Sequence, residues 1–273
     1  MRVLQGFFKG ELAERSNAAV LKTVSPQGLE GSNPSLSATP RMGIRLVYAR
    51  SMRTAVLATV LVVAAPGLRA ECDDVPAARV DWSGCTKERL ILRKRALSGA
   101  RLDRATLTGM SFEASDLKGA SLAYAEVNRS SFRNAAMEGA KLQKLVAVRS
   151  NFSGAQLTGA DLEKAEFHRC TFAQAVLRGA NLSKADFGRS SFDRADLREA
   201  KLSHSGLARA SFRGANLAGA DLSNAFIVGT HFEATDLSAV KGLVQAQLDV
   251  ACGDAKTKLP AALKAPASWP CTE

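Results

Sequence analysis

A large hydrophobic residue recurs at every fifth position of this chain from Leu97 to Leu237. The series begins Leu97, Leu102, Leu107, Phe112, Leu117, Leu122, Val127, Phe132, Met137, Leu142 and stays in phase, broken only at Ala147. Two residues before nearly every one lies a small residue, usually Ala, as at Ala100, Ala105, Ala120, Ala125 and Ala225. A period of five fits neither the helix repeat of about 3.6 nor the strand repeat of about 2. It fits a chain that makes a short extended segment, turns, and repeats. Side chains alternate along such a segment, so the hydrophobe and the small residue two before it both point inward. The outward neighbours are mostly Asp, Asn, Lys, Arg, Ser and Thr, and the fifth position is rich in Gly (Gly119, Gly139, Gly159, Gly179, Gly219), which suits a turn.

A longer period sets the number of sides. Phe112, Phe132, Phe152, Phe172, Phe192, Phe212 and Phe232 recur every 20 residues, which is four segments, so each coil has four sides and the Phe residues stack on one of them. A second side carries only Leu centres, Leu102 to Leu222, each with an Ala partner, Ala100 to Ala220. Successive coils are expected to stack through backbone hydrogen bonds at roughly 4.8 Å, with nearest-neighbour stability and a need for capped ends. The segments Ala160-Asp161-Leu162-Glu163-Lys164, Ala180-Asn181-Leu182-Ser183-Lys184 and Ala220-Asp221-Leu222-Ser223-Asn224 match an A-(D/N)-L-x-x motif. In this the chain resembles the pentapeptide-repeat family. The resemblance implies an all-β solenoid, a right-handed quadrilateral β-helix, here of about seven coils over 95–240.

The net charge is +11, unevenly spread. Residues 1–70 hold 9 Lys/Arg against 3 Asp/Glu, and 95–240 hold 19 against 15, so the basic balance describes the N-terminus more than the repeat body. Residues 1–41 have no periodicity. The runs Ala18 to Thr23 and Leu29 to Pro34 look like a translated serine transfer-RNA gene, so this stretch reads as an artefact of start-site assignment or a disordered tail, with the start expected at Met42 or Met52. Residues 42–70 read as an export signal. Arg50 and Arg53 precede an apolar run, Ala55 to Ala65, and cleavage is expected after Ala70. The run is too short to span a bilayer, which needs about 20 residues. An uncleaved N-terminal anchor is the alternative.

A mature chain from Glu71 would hold an N-terminal cap (71–94), the repeat (95–240) and a C-terminal helix and extended tail (241–273). Cys72 and Cys85 flank the entry to the coil, and Cys252 and Cys271 the exit. In an oxidising compartment they read as two local disulfides, Cys72–Cys85 and Cys252–Cys271. Cys170 is left over at an inward position between Ser150 and Ser190, and reads as a buried free thiol. Leu243 to Val250 drops the five-residue beat for an i, i+4 pattern, which predicts a short helix.

Two surface features stand out. Arg129, Arg149, Arg169, Arg189 and Arg209 share one corner, 20 residues apart, beside a second basic corner of Arg104, Lys144, Lys164, Lys184 and His204. Stacked cations repel by about 1 kcal/mol per neighbour even in water, so the column favours an anionic partner, with Glu126, Glu166 and Asp186 expected to neutralise part of it. The alternative is a solvated corner whose Arg stems cover the ladder edge. In the second feature, Leu145 and Ala147 exchange sizes, which roughly conserves core volume and leaves Val146 and Val148 facing outward as a contact patch. Phe226 and Val228 face outward on the same side and are expected to be covered by the C-terminal tail.

His168, His204 and His231 lie on different sides or distant coils, no Cys/His set has metal spacing, and no Gly-rich phosphate loop leads into a helix. No catalytic residue, metal or cofactor is therefore expected. The reading is an exported, non-catalytic scaffold of the cell envelope, periplasmic or secreted, with a protein partner. A homodimer is compatible with it, and nucleic acid is not the expected ligand. The resemblance implies one alternative: some family members mimic DNA and interact with gyrase or topoisomerase, which requires an acidic surface. The Arg column supplies another, weak and salt-sensitive polyanion binding.

Overall fold

The computed structural model describes residues 72–271. The expectations for 1–41 and 42–70 and the cleavage site after Ala70 lie outside the described residues. All described residues belong to one compact unit.

The five-residue beat produces a four-sided coil. Parallel bridges link residues 20 apart from Asp81↔Arg101 through Asp221↔Lys241. The ladder runs both ways from each segment: Leu97 N–H donates to the Asp116 carbonyl at 2.7 Å, and Arg101 N–H to the Val80 carbonyl at 2.8 Å. Most corners close with a turn bond such as Ala100 N–H to the Leu97 carbonyl, 3.0 Å. The third residue of such a turn takes a positive φ, +64° at Gly99, as a type II turn requires.

The centres form the core. The seven Phe rings stack along one side, neighbouring centroids lying 4.7 Å apart at Phe132–Phe152 and 5.5 Å at Phe212–Phe232. Phe167 and Phe187 stack on the next side at 5.2 Å and meet the first column edge-on. That next side is the mixed side, with centres Leu107, Val127, Ala147, Phe167, Phe187, Leu207 and Ile227, all buried. The Leu145/Ala147 exchange keeps the core filled, since both side chains are fully buried.

Four short strands are distinct, and all lie on the mixed side: β1 (Thr86–Glu88), β2 (Thr106–Thr108), β3 (Val146–Val148) and β4 (Glu166–His168). β1 pairs with β2 and β3 with β4, parallel and in the 20-residue register. Along part of the corner after this side a side chain stands in for the turn bond, as Ser115 also does after the Phe side between the Arg95 N–H and the Leu92 carbonyl. Ser150 Oγ accepts the Ser130 N–H (3.1 Å) and donates to the Val127 carbonyl (2.6 Å), standing where a turn bond would otherwise run. Ser130 does the same for Met110 and Leu107, and Ser190 for Cys170 and Phe167. Cys170 Sγ takes this place for Ser150 and Ala147, at 3.4 and 3.3 Å. It is a buried free thiol, as the sequence predicts, and burial pushes it up to about 11.

Both expected disulfides are present, Cys72–Cys85 and Cys252–Cys271. At the entry Trp82 is buried, its Nε1 donating to the Asp74 carbonyl, with Lys87 Nζ 4.7 Å from the ring centre. At the exit the predicted helix forms as α1 (Gln245–Leu248). Leu248 plugs the core and Gln247 donates to the Leu222 and Ala225 carbonyls at the coil end. The chain then adds two more rungs, Cys252 on His231 and Lys258 on Asp236. Trp269 Nε1 bonds the Ala251 carbonyl at 2.7 Å, and its ring lies over Gly253, where a Cβ would come within 2.3 Å of it.

One expectation fails here. Phe226 and Val228 are not covered: they remain 59% and 41% exposed. The tail extends the coil along the Phe side and the side after it, where His231 and Asp236 sit, instead of folding back over the outer surface of the mixed side. Among the described residues no helix is long and apolar enough to cross a membrane.

Candidate anion-binding face

Five-residue spacing places Arg129, Arg149, Arg169, Arg189 and Arg209 at the corner between the mixed side and the Phe side. All five are exposed, at the turn position with φ between 54° and 58°. Their amides are tied into the ladder, as Arg169 N–H to the Gly188 carbonyl at 3.1 Å, so the backbone holds the column in line. A left-handed backbone costs an L-residue about 1–2 kcal/mol where Gly costs little. Gly109 and Gly229 occupy the same corner at the two ends of the column. The corner thus accepts Gly, and its geometry does not call for Arg.

The second basic corner borders the mixed side along its other edge. Lys144, Lys164, Lys184 and His204 are all exposed there. Tyr124 stands in this column, half exposed, with Lys144 Nζ 4.9 Å and the Arg104 guanidinium 5.7 Å from its ring. The mixed side therefore runs between two rows of cations. The corner diagonally opposite the Arg column carries Gly99, Gly119, Gly139, Gly159 and Gly179 instead.

The expected neutralisation does not take the form of direct ion pairs. None of the five Arg residues makes an ion pair among the described residues. Glu126, Glu166 and Asp186 are exposed on the mixed side and none of them is ion-paired with the column among the described residues. Asp186 lies across the outer surface of its own side: Oδ1 accepts the Gly188 N–H at 2.9 Å and stands over Gly206, and Oδ2 lies 4.0 Å from His168 Nε2. In the second row Lys164 Nζ pairs with Glu163 Oε1 at 3.4 Å, while ion pairs such as Arg178 and Arg198 on Asp196 lie on another side. Val146 and Val148 stand outward on β3 as predicted, half-buried between neighbouring coils.

The mixed side is not uniform along the coil. A recess of about 540 Å³ opens toward its C-terminal end, walled by Arg169, Arg189 and Arg209, with His168 at one end and Gly188 and Ala208 beneath. The sequence carries the signal for it, two successive outward positions without a bulky side chain, but periodicity alone gave no reason to single them out. Among the described residues no group of three or more His, Cys, Asp or Glu side chains is close enough to hold a metal ion.

Comparison with known proteins bears on this architecture. Residues 165–241 match the family described as pentapeptide repeat region, and 97–134 and 111–145 match that described as pentapeptide repeats (8 copies). No curated protein matches the chain. Among solved structures, HetL, a pentapeptide repeat protein involved in heterocyst differentiation regulation from the cyanobacterium Nostoc sp. Strain PCC 7120, is 24% identical, with 64% of this chain and 90% of that chain covered and a TM-score of 0.41. Full-length QnrB1, a plasmid-mediated fluoroquinolone resistance protein, is 18% identical over 67% of this chain and 94% of its own, with a TM-score of 0.32. A pentapeptide repeat protein from the Arabidopsis thaliana thylakoid lumen is 27% identical over 34% of this chain and 68% of its own, with a TM-score of 0.20.

Proposed function

Because the chain belongs to the pentapeptide-repeat family, whose fold is a right-handed quadrilateral β-helix, we propose that it acts by surface contact, as a non-catalytic interaction module of the cell envelope that binds an acidic protein partner. The observation that carries this reading is the column Arg129 to Arg209: five exposed cations in line, none ion-paired among the described residues, on a corner that accepts Gly. A row of unneutralised guanidinium groups is a standing electrostatic cost that an anionic partner relieves. The export pattern in 42–70 and the disulfides at both ends of the coil support an oxidising compartment, periplasmic or extracellular. The DNA-mimic alternative requires an acidic surface, and the two basic rows along the mixed side speak against it.

The test is binding of sodium polyglutamate to the full chain and to an Arg149→Glu/Arg189→Glu variant. Saturable binding is expected that weakens with salt and falls about tenfold or more in the variant, the equivalent of about 1.4 kcal/mol. Equal binding by the two proteins would return the column to a solvated corner.

A further inference from the structure

The recess beside the Arg column differs chemically from the rest of the strip. Along most of the mixed side, outward side chains fill the space between the two basic rows, including the carboxylates of Glu126 and Glu166. At Gly188 and Ala208, next to the Arg column, no bulky side chain fills the floor, so a bound chain can approach the backbone there, while the Asp186 carboxylate lies beside Gly188 and over Gly206. Arg169, Arg189 and Arg209 stand along one edge, and Lys184 and His204 lie on the other. Immediately beyond the bare floor comes an apolar shelf. Phe226 pairs with Gly206 on the next rung and is 59% exposed; Val228 follows Ala208 and is 41% exposed. Val250, 47% exposed, joins it, its carbonyl accepting the Gly229 N–H at 2.7 Å. Cations, an unfilled floor and exposed aliphatic and aromatic side chains thus occur in sequence along one line.

We propose that this end of the mixed side is a docking site for an extended acidic peptide segment of a partner protein, its carboxylates on Arg169, Arg189 and Arg209 and a bulky apolar residue at its end on Phe226 and Val228. The proposal rests on the acidic-partner reading and narrows it to a place and a sequence type. The dimensions agree. Three successive rungs span about 10 Å at ~4.8 Å each, and acidic side chains two apart on an extended chain are about 6.6 Å from one another, within reach of long guanidinium arms. A nucleic acid fits less well. Phe226 is a single ring with aliphatic neighbours in place of a row of stacking platforms.

The experiment uses the full chain and fluorescence anisotropy with three probes of matched length: a Glu/Asp peptide ending in a leucine pair, an all-Glu peptide, and oligothymidylate. The leucine-ended peptide is expected to bind about tenfold more tightly than the all-Glu peptide, because the shelf buries its apolar end. Ala208→Trp, which fills the floor without removing a cation, and Phe226→Ser, which removes the shelf, are each expected to abolish that advantage while all-Glu binding along the column persists. Unchanged thermal melting of the two variants shows that the fold is kept. Equal affinity for the two peptides, or no effect of Ala208→Trp, overturns the docking site and leaves the Arg strip standing. Oligothymidylate binding as tightly as the leucine-ended peptide and displacing it overturns the peptide assignment in favour of nucleic acid. Failure of every probe to bind removes the strip reading and this proposal together.

Discussion

Ser130, Ser150, Cys170 and Ser190 occupy one inward column, where position alone asks only for a small residue. Each closes the corner of the coil before it, by bridging an N–H 20 residues back and a carbonyl 23 residues back. The phase of the centres was legible residue by residue, and Cys170 was legible as a buried thiol. Its hydrogen-bonding role was not, because both partner groups are distant in sequence and belong to the backbone. Ser150→Ala leaves the Ser130 N–H and the Val127 carbonyl unpaired in the interior, and is expected to cost about 1–3 kcal/mol in urea unfolding. A smaller loss would mean that the corner collapses to the direct bond seen where Ser190 N–H meets the Phe187 carbonyl at 3.0 Å. Cys170→Ser puts a stronger donor and acceptor in the same place, so it is expected to be neutral or to stabilise by up to about 1 kcal/mol.

At the scale of elements, sides and corners were readable, and the ends were readable only in part. The i, i+4 pattern of Leu243 to Leu248 correctly located α1. Sequence could not say along which sides the following chain would run, and so Phe226 and Val228 were wrongly assigned a cover. The tail instead takes the next rungs of the ladder, with Lys258 Nζ on Asp236 Oδ2 at 3.1 Å. Asp236 accepts from the Ser238 hydroxyl and amide, and these bonds, with Lys258 after them, hold its carboxyl down at about 2. The Ser223 hydroxyl and amide lower Asp221 in the same way. A carboxylate whose folded pKa lies below its unfolded value of about 3.9 stabilises the fold above that value and loses the contribution as pH falls toward the folded pKa. The melting temperature is therefore expected to drop between about pH 4 and pH 2. The drop should be modest, since both groups are solvent-screened, and shallower in Asp236→Asn. An acid profile identical in that variant would show that the tail rung does not depend on the Asp236 charge.

For the whole molecule, family and fold were legible because dozens of positions obey one phase, whereas the choice of partner resides in a few outward side chains that the phase leaves free. Gly188 and Ala208 illustrate this: their meaning emerges only when the coil sets them beside Arg169, Arg189 and Arg209. The ends pose a different physical problem. A solenoid presents unpaired ladder groups at its termini, and the described chain closes them with short segments that have little core of their own. Disulfides suit such segments. Cys252–Cys271 encloses 19 residues of separation, a loop for which the chain-entropy estimate is about 3 kcal/mol. Replacing both residues by Ser is expected to lower unfolding stability by about 2–4 kcal/mol, and added reductant, which also opens Cys72–Cys85, should lower the unaltered protein at least as far. Stability that depends on these bonds makes sense only where they persist, which links the prediction to export. Protein isolated from its native host is accordingly expected to have the mass of a chain beginning at Glu71, rising on reduction by the four hydrogens of two disulfides. A reduced chain retaining residues 42–70 would place it in a compartment where the bonds do not form. The end segments would then have to hold by their ladder rungs and by Trp82, Leu248 and Trp269 packing, and the envelope assignment would fall with the disulfides.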